Sequence, residues 1–572
     1  MKAQSQRIMI YQVLPRLYGN TCQNNVPGGT LDENGVGKMA DFTPTRLKRL
    51  RDFGYTHVWY TGLLEHATQT DYSQYGIRRD NAAVVKGRAG SPYAVKDYYD
   101  IDPDLAKDPA KRMEEFEALV KRTHKAGLKF IMDFVPNHVA RQYNSDARPA
   151  GVKDLGQGDN TAMTFNRDNN FYYIPGESLH LDNIPQAQEA NALMPYQEYP
   201  ARVTGNDVFS ATPGENDWYE TVKLNYGVDY QGGRIKLYPL GASEQTWENV
   251  PSTWRKMTEI LRFWAQKGVD GFRCDMAEMV PVEFWGFAIP RVKELNPNII
   301  FIAEVYNPYE YRNYIGRGHF DYLYDKVGLY DTLRAVVRGE AEASAITSCW
   351  QQVDDINTHM LNFLENHDEQ RIASPFFAGD ARKALPALVV SSSMGTSPFM
   401  VYAGQELGEA APDAEGFSGA DGRTTIFDYW GVESYRKLLA GYNKLGKEER
   451  ELYDYYQRVV TLQNERPALQ HGSFFDLMYV NEDGLGGFDS KCNYAFLRSS
   501  KEETILVCAN FSDEARTVRV RIPEHAFNIL GIKQGTVLTT ELLTGEKGRM
   551  ELKADGLVPI YLPANGAAML SW

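Results

Sequence analysis

From the N-terminus to about Gly472, short apolar runs rich in β-branched and aromatic side chains alternate with longer amphipathic stretches. Ile8–Val13, His57–Thr61, Lys129–Phe134, Gly271–Cys274, Ile299–Ala303, Phe320–Leu323, Met360–Leu364 and Phe399–Tyr402 read as eight strands. Between them lie helix patterns. In Pro109–Ala126, Met113, Phe116, Leu119 and Val120 recur at helical spacing, and Gly127 is placed to end the helix. Ser252–Lys267 reads the same way, with Thr253, Met257, Ile260, Leu261 and Trp264 on one face and Gly268 closing it. Strands alternating with helices predict an α/β fold built around a parallel sheet, and eight such units predict a (β/α)8 TIM barrel.

Two segments break this alternation. Val139–Gln245 is long, polar and rich in Asn, Gly, Pro and Tyr, the composition of a functional loop or a small inserted domain. Beyond Gly472 the period shortens to two: Tyr494–Arg498, Thr504–Asn510, Thr517–Ile522, Val537–Glu541, Met550–Leu552, Val558–Leu562 and Ala567–Trp572 predict a C-terminal antiparallel β-sandwich. A chain of 572 residues allows about four average domains. The pattern instead divides it into three parts: a barrel from 1–138 and 246–471, an insertion at 139–245, and a sandwich at 472–572. It contains no low-complexity tract and no fixed-period repeat.

Charge narrows the partners. With 61 basic and 75 acidic side chains the net charge is −14, and no Lys/Arg run is long enough to attract a polyanion. Nucleic acid is therefore not an expected partner. No stretch reaches the roughly 18 apolar residues of a membrane span. The first apolar run is cut short by Gln12, Pro15 and Arg16, unlike a secretory signal core. Cys22, Cys274, Cys349, Cys492 and Cys508 are too dispersed for a zinc knuckle or a disulfide framework, so they read as reduced, buried thiols in a cytoplasmic protein.

In a parallel barrel, chemistry sits where strands run out into the following loops. The third strand ends in DFVPNH (Asp133 to His138), and the fourth reads GFRCD, with Arg273 and Asp275 two residues apart and so on one side of the chain. The fifth ends at Glu304 in FIAEVY, and the seventh runs into LENHDEQR, with His367, Asp368 and Arg371. Carboxylates converging on one rim suit glycosidic cleavage, in which one carboxyl protonates the leaving oxygen and another attacks or assists water. Each motif alone has a plainer reading, since an aspartate after a strand is most often a helix cap.

Their order is more specific. Asp133, Asp275, Glu304 and Asp368 follow one another at intervals of 142, 29 and 64 residues. With DFVPNH, GFRCD, AEV and NHD in this order, the chain resembles the α-amylase superfamily, glycoside hydrolase family 13, over at least residues 8–430. The resemblance implies that Asp275 is the nucleophile of a covalent β-glycosyl intermediate, Glu304 the acid and then base, and Asp368 the transition-state stabiliser. Arg273 would orient Asp275, and His138 and His367 would bind sugar. Tyr93, in SPYAVKDYYDIDP, resembles the family's aromatic platform, with a core tyrosine as the alternative. Asp97 and Arg371 match supporting positions. The chemistry requires Asp275 ionised, and Arg273 beside it is expected to keep its pKa low.

Finer features resemble neopullulanases and cyclomaltodextrinases. VKLN within Asp217–Gly227 is similar to their fifth region, and DMAEMVPVEFW matches the length of their second, but with Glu278 for Asn and Met279 for Glu. Many relatives hold a structural Ca²⁺, with Asn137 the corresponding ligand. Lys223 places an ammonium where a dication would need oxygen, so no cofactor is expected for the chemistry and the calcium site is disfavoured. Of the loop aromatics Phe171, Tyr172, Tyr173, Tyr196, Tyr199, Trp218 and Tyr219, some are expected to touch substrate. The implied activity is hydrolysis of α-1,4-glucosidic bonds in starch-derived glucans, maltooligosaccharides or cyclodextrins. The alternatives are a transglycosylase on the same scaffold and a non-catalytic glucan-binding relative.

Overall fold

The computed structural model describes residues 6–482 and 484–572. Eight parallel strands close into a barrel: β1 (Met9–Val13), β2 (His57–Tyr60), β3 (Lys129–Phe134), β4 (Gly271–Cys274), β5 (Ile300–Ala303), β6 (Tyr322–Tyr324), β7 (Met360–Phe363) and β8 (Phe399–Tyr402). Neighbours in sequence are neighbours in space, and β1 closes the ring by pairing both β2 (Ile10 with His57) and β8 (Met9 with Phe399). All eight strands read from the sequence are present. The sixth is displaced toward its C-terminal end because the Phe320 amide donates to the Tyr314 carbonyl, which commits Phe320 to the preceding turn.

The helices follow from their apolar faces. Arg112–Lys125 buries Phe116, Leu119 and Val120 against the barrel, with Pro109–Lys111 forming a separate 3₁₀ turn ahead of it. Ser252–Gln266 buries Thr253, Met257, Ile260, Leu261 and Trp264. Gly127 and Gly268 follow with φ of +81° and +91°, the left-handed geometry that lets a helix end and the chain turn into the next strand.

Between β3 and β4, residues 139–245 hold only short ladders, His138–Ala140 with Thr221–Lys223, Tyr173–Ile174 with Ala201–Arg202, and Val228–Asp229 with Ile235–Lys236, plus the helix Pro185–Leu193. A small core of Leu179, Leu181, Ile184, Ala187, Ala201, Ala211 and Tyr219 joins this segment to Ala83 and Val84 of the β2–β3 connection. That connection also carries a hairpin, Leu64–His66 with Val95–Ile101, absent from the sequence-based expectation.

The C-terminal part contains β9 (Ser473–Asp476), β10 (Asn493–Ser499), β11 (Thr504–Asn510), β12 (Arg516–Ile522), β13 (Gly535–Glu541), β14 (Lys547–Leu552), β15 (Gly556–Leu562) and β16 (Gly566–Ser571). It is an uneven sandwich: a six-stranded sheet in the order β9-β10-β11-β16-β13-β14, and the pair β12-β15. Strand β9 and the helix Glu524–Leu530 were not legible in the sequence pattern. The five cysteines are free thiols; Cys274, Cys349 and Cys508 are buried, whereas Cys22 and Cys492 are only half-buried, contrary to expectation. No helix among the described residues is long and apolar enough to cross a membrane.

Candidate active site

The barrel ladder continues to its C-terminal rim, where the Asp275 amide donates to the Phe134 carbonyl (2.9 Å) and the Glu304 amide to the Cys274 carbonyl (3.2 Å). Asp275 and Glu304 are thus the first residues past β4 and β5. Strand alternation sends Arg273 and Asp275 to the same side, and Cys274 packs in the barrel wall as a buried thiol pushed well above its usual range by burial.

Arg273 organises the site. One guanidinium nitrogen donates to Asp275 Oδ1 (2.7 Å) and the other to Glu304 Oε2 (2.9 Å), so a single fork grips both carboxylates. Its guanidinium carbon lies over the rings of Trp59 (5.2 Å), Tyr93 (5.5 Å) and Tyr324 (5.5 Å), which replace lost solvation with π density. Met276 takes a left-handed φ of +44°, strained for a side chain of its size, and its amide donates to Glu304 Oε2 at 2.8 Å.

Asp368 faces these groups from beyond β7, 4.0 Å from the Arg273 guanidinium and 3.2 Å from His367 Nε2. Burial first, and the Glu304 charge second, push its carboxyl up to about 7, with Arg273 acting in the opposite direction. Asp275 is also pushed well above the usual carboxylate range: burial outweighs Arg273. The expectation that Arg273 alone keeps Asp275 low is therefore corrected.

Both histidines are buried and neutral. His367 is held between Gln12 Nε2 at its Nδ1 (2.8 Å) and the Tyr93 hydroxyl at its Nε2 (2.6 Å), while Tyr93 stacks on its ring. His138 lies 5.3 Å from the Trp218 ring, its pKa lowered to about 3 by burial and then by Lys223. Tyr93 fits both readings, since it is 9% exposed yet lines the cavity. Asp133 does not line the cavity; it accepts from Trp59 Nε1, the Gly62 amide and the Tyr93 hydroxyl. Arg371 turns away to Glu365 (2.9 Å), and Asp97 accepts from Ser145 Oγ and the Ala147 amide, tying down the start of the insertion.

The cavity measures about 270 Å³. Asp275, Glu304 and Asp368 line it together with Tyr93, His138 and Tyr306; Trp218, Glu220 and Thr221 come from the insertion and Phe417, Ile426 and Phe427 from the loop after β8. Of the expected loop aromatics only Trp218 lines this cavity. Phe171, Tyr172, Tyr173 and Tyr219 are buried in the insertion's own packing. Gln12, Trp59, Tyr306 and Tyr324 were missed, because each sits in a strand or turn that reads as ordinary core. A larger cavity of about 890 Å³, between barrel and C-terminal sheet, contains none of the motif carboxylates.

The residues around Asn137 do not fit a dication. Asn137 Oδ1 accepts from the Lys223 ammonium (2.8 Å), which also pairs with Asp207 (2.5 Å), and Asn137 Nδ2 donates to the Gly205 carbonyl. Among the described residues no group of three or more His, Cys, Asp or Glu is arranged to hold a metal ion.

A closed parallel barrel with three carboxylates converging at its C-terminal mouth has the layout of a barrel glycoside hydrolase. The family model for the α-amylase catalytic domain matches residues 12–472, and the chain belongs to that family. It is 21% identical to neopullulanase 2 of Thermoactinomyces vulgaris over 558 residues, which is 95% of this chain and 75% of the relative. Identity to α-amylase 3 of Dictyoglomus thermophilum is 25% over 495 residues, 82% of this chain and 83% of the other. Among solved structures, the noncanonic maltogenic α-amylase AmyB of Thermotoga neapolitana superposes with a TM-score of 0.60 at 19% identity, covering 100% of this chain and 99% of that one.

Proposed function

We propose that the protein hydrolyses α-1,4-glucosidic bonds of starch-derived glucans, maltooligosaccharides or cyclodextrins by a retaining double displacement. The single observation that carries this reading is the Arg273 fork on Asp275 and Glu304, which holds nucleophile and acid side by side at adjacent strand ends. Retention needs carboxyls only about 5–5.5 Å apart, too close for water between them. Asp275 attacks C1 through the oxygen not held by Arg273, as Glu304 gives its proton to the departing glycosidic oxygen. Glu304, now ionised, takes a proton from water, whose oxygen displaces Asp275 and leaves an α-configured product. Asp368, which lines the cavity, would bind hydroxyls of the distorted sugar with His367 beside it, a role supported by their 3.2 Å contact. Similarity to a cyclomaltodextrinase of a Bacillus species, together with the VKLN segment, favours cyclic glucans among these substrates. The Lys223 ammonium supports a reaction that needs no bound metal.

The test is incubation of purified protein with starch, pullulan, cyclodextrins and maltotriose, separating products by size and following the anomer first released. Shorter products of α-configuration are expected. Oligomers longer than the maltotriose supplied would instead establish transglycosylation. Asp275→Asn should lower the rate on the order of 10³-fold or more, and undiminished hydrolysis by that variant would refute the mechanism.

A further inference from the structure

The segment that resembles the family's second region carries Glu278 in place of Asn, and the structure gives that carboxylate a definite task. Its Oε2 accepts from the backbone amides of Tyr306 (2.8 Å) and Asn307 (3.1 Å), the turn immediately after Glu304. The turn containing Glu278 is itself fixed, because the Tyr314 hydroxyl donates to the carbonyls of Glu278 (3.0 Å) and Val280 (2.8 Å). Held in this way, Tyr306 lines the cavity and its hydroxyl donates to Glu304 Oε1.

The two oxygens of Glu304 are therefore not equivalent. Oε2 receives Arg273 Nη2 and the Met276 amide, two N–H donors that cannot accept a proton. A proton carried by Glu304 must ride on Oε1, and among the described residues the only side chain bonded there is a hydroxyl, which can accept as well as donate. We infer that Tyr306 is a positioning residue of the acid–base step, fixing the proton-bearing oxygen of Glu304, and that Glu278 holds Tyr306 in place. This rests on the proposed glycosidase reading. In the first step the Oε1 proton passes to the glycosidic oxygen, the C1–O bond breaks, and its electron pair leaves with that oxygen. The carboxylate so formed accepts from Tyr306. In the second step Oε1 recovers a proton from the attacking water, and Tyr306 returns to accepting.

The test uses a series of aryl α-maltosides whose phenols differ in acidity, since poorer leaving groups depend more on the acid. In Tyr306→Phe, kcat/KM is expected to fall about tenfold on the least acidic phenols and little on the most acidic, so the plot of log kcat/KM against phenol pKa steepens. Glu278→Ala should steepen it likewise, and Glu278→Gln, which keeps a carbonyl acceptor, should restore it. A uniform loss across the series, or an unchanged slope, means that Tyr306 merely contacts the leaving group and overturns the inference. No turnover of any maltoside or oligosaccharide by the unaltered protein would overturn the functional reading itself.

Discussion

Arg273 is a fully buried cation that serves two acids at once, which makes its shape as important as its charge. A lysine ammonium is a point donor and cannot span the same pair of carboxylates while lying over Trp59, Tyr93 and Tyr324. Arg273→Lys is expected to cost on the order of 10²-fold or more in kcat/KM while the fold survives; near-normal kcat/KM on maltotriose would show that charge alone suffices. The same burial sets the pH response. Asp368, held at about 7, and Asp275, raised by burial, must both be ionised to work, so their chemistry is lost as pH falls. The acid limb of kcat/KM should therefore lie near neutrality, and a midpoint near 4, the range of an exposed aspartate, would contradict this.

At the scale of elements, the barrel was legible because each strand is a compact apolar run and each major helix carries an apolar stripe. Asp275 and Glu304 were legible because they directly follow those strands, and Asp368 because it lies a few residues beyond one. The insertion was legible in its place and bounds but not in its internal structure, and the reason is physical: polar pairs that have no sequence period hold much of it together. Glu198 is buried between Arg141 and Arg202 (2.8 Å each); burial alone would raise its pKa, but the two guanidinium groups bring it down to about 2. Lys223 joins Asn137, just past the C-terminal end of β3, to Asp207 in the insertion, so one ammonium fastens the insertion to the barrel mouth. Lys223→Ala leaves buried Asn137 without its donor. It is expected to lower stability by about 1–3 kcal/mol and activity with it, because Trp218 and His138 belong to the same junction. EDTA should change neither the melting temperature nor the rate of the unaltered protein; loss of either on chelation would place a metal in the fold after all.

At the scale of the whole molecule, a chain of net charge −14 also has buried acids outside the lining of the rim cavity, and these set how stability varies with pH. Glu65, opposite Asp97 in the hairpin beside the barrel mouth, is 1% exposed, and among the described residues neither of its oxygens has a hydrogen-bond partner. Burial, reinforced by Asp97 and Asp100, pushes it up to about 9. Glu415 is pushed up to about 8 by burial and then by Glu409. The folded chain keeps these protons where an unfolded glutamate releases them near 4, so the stability they allow is full in acid and lost as pH rises through each folded value. Buried histidines act oppositely: His57 is held at about 4 and His66 at about 3, mainly by burial, so folding is penalised where unfolded histidine takes up a proton, below about 6.5. Above that pH the histidine contribution is spent and the carboxyl slope stands alone. Arg7 and Arg498, lowered by burial to about 9 and about 10, enter only at the upper edge. The melting temperature should therefore fall between pH 6.5 and 9. Glu65→Gln, which keeps the shape but cannot ionise, should flatten that fall by up to about 1.4 kcal/mol per pH unit. Melting curves of both proteins across this range decide the matter, since parallel slopes would show that Glu65 is already ionised in the fold.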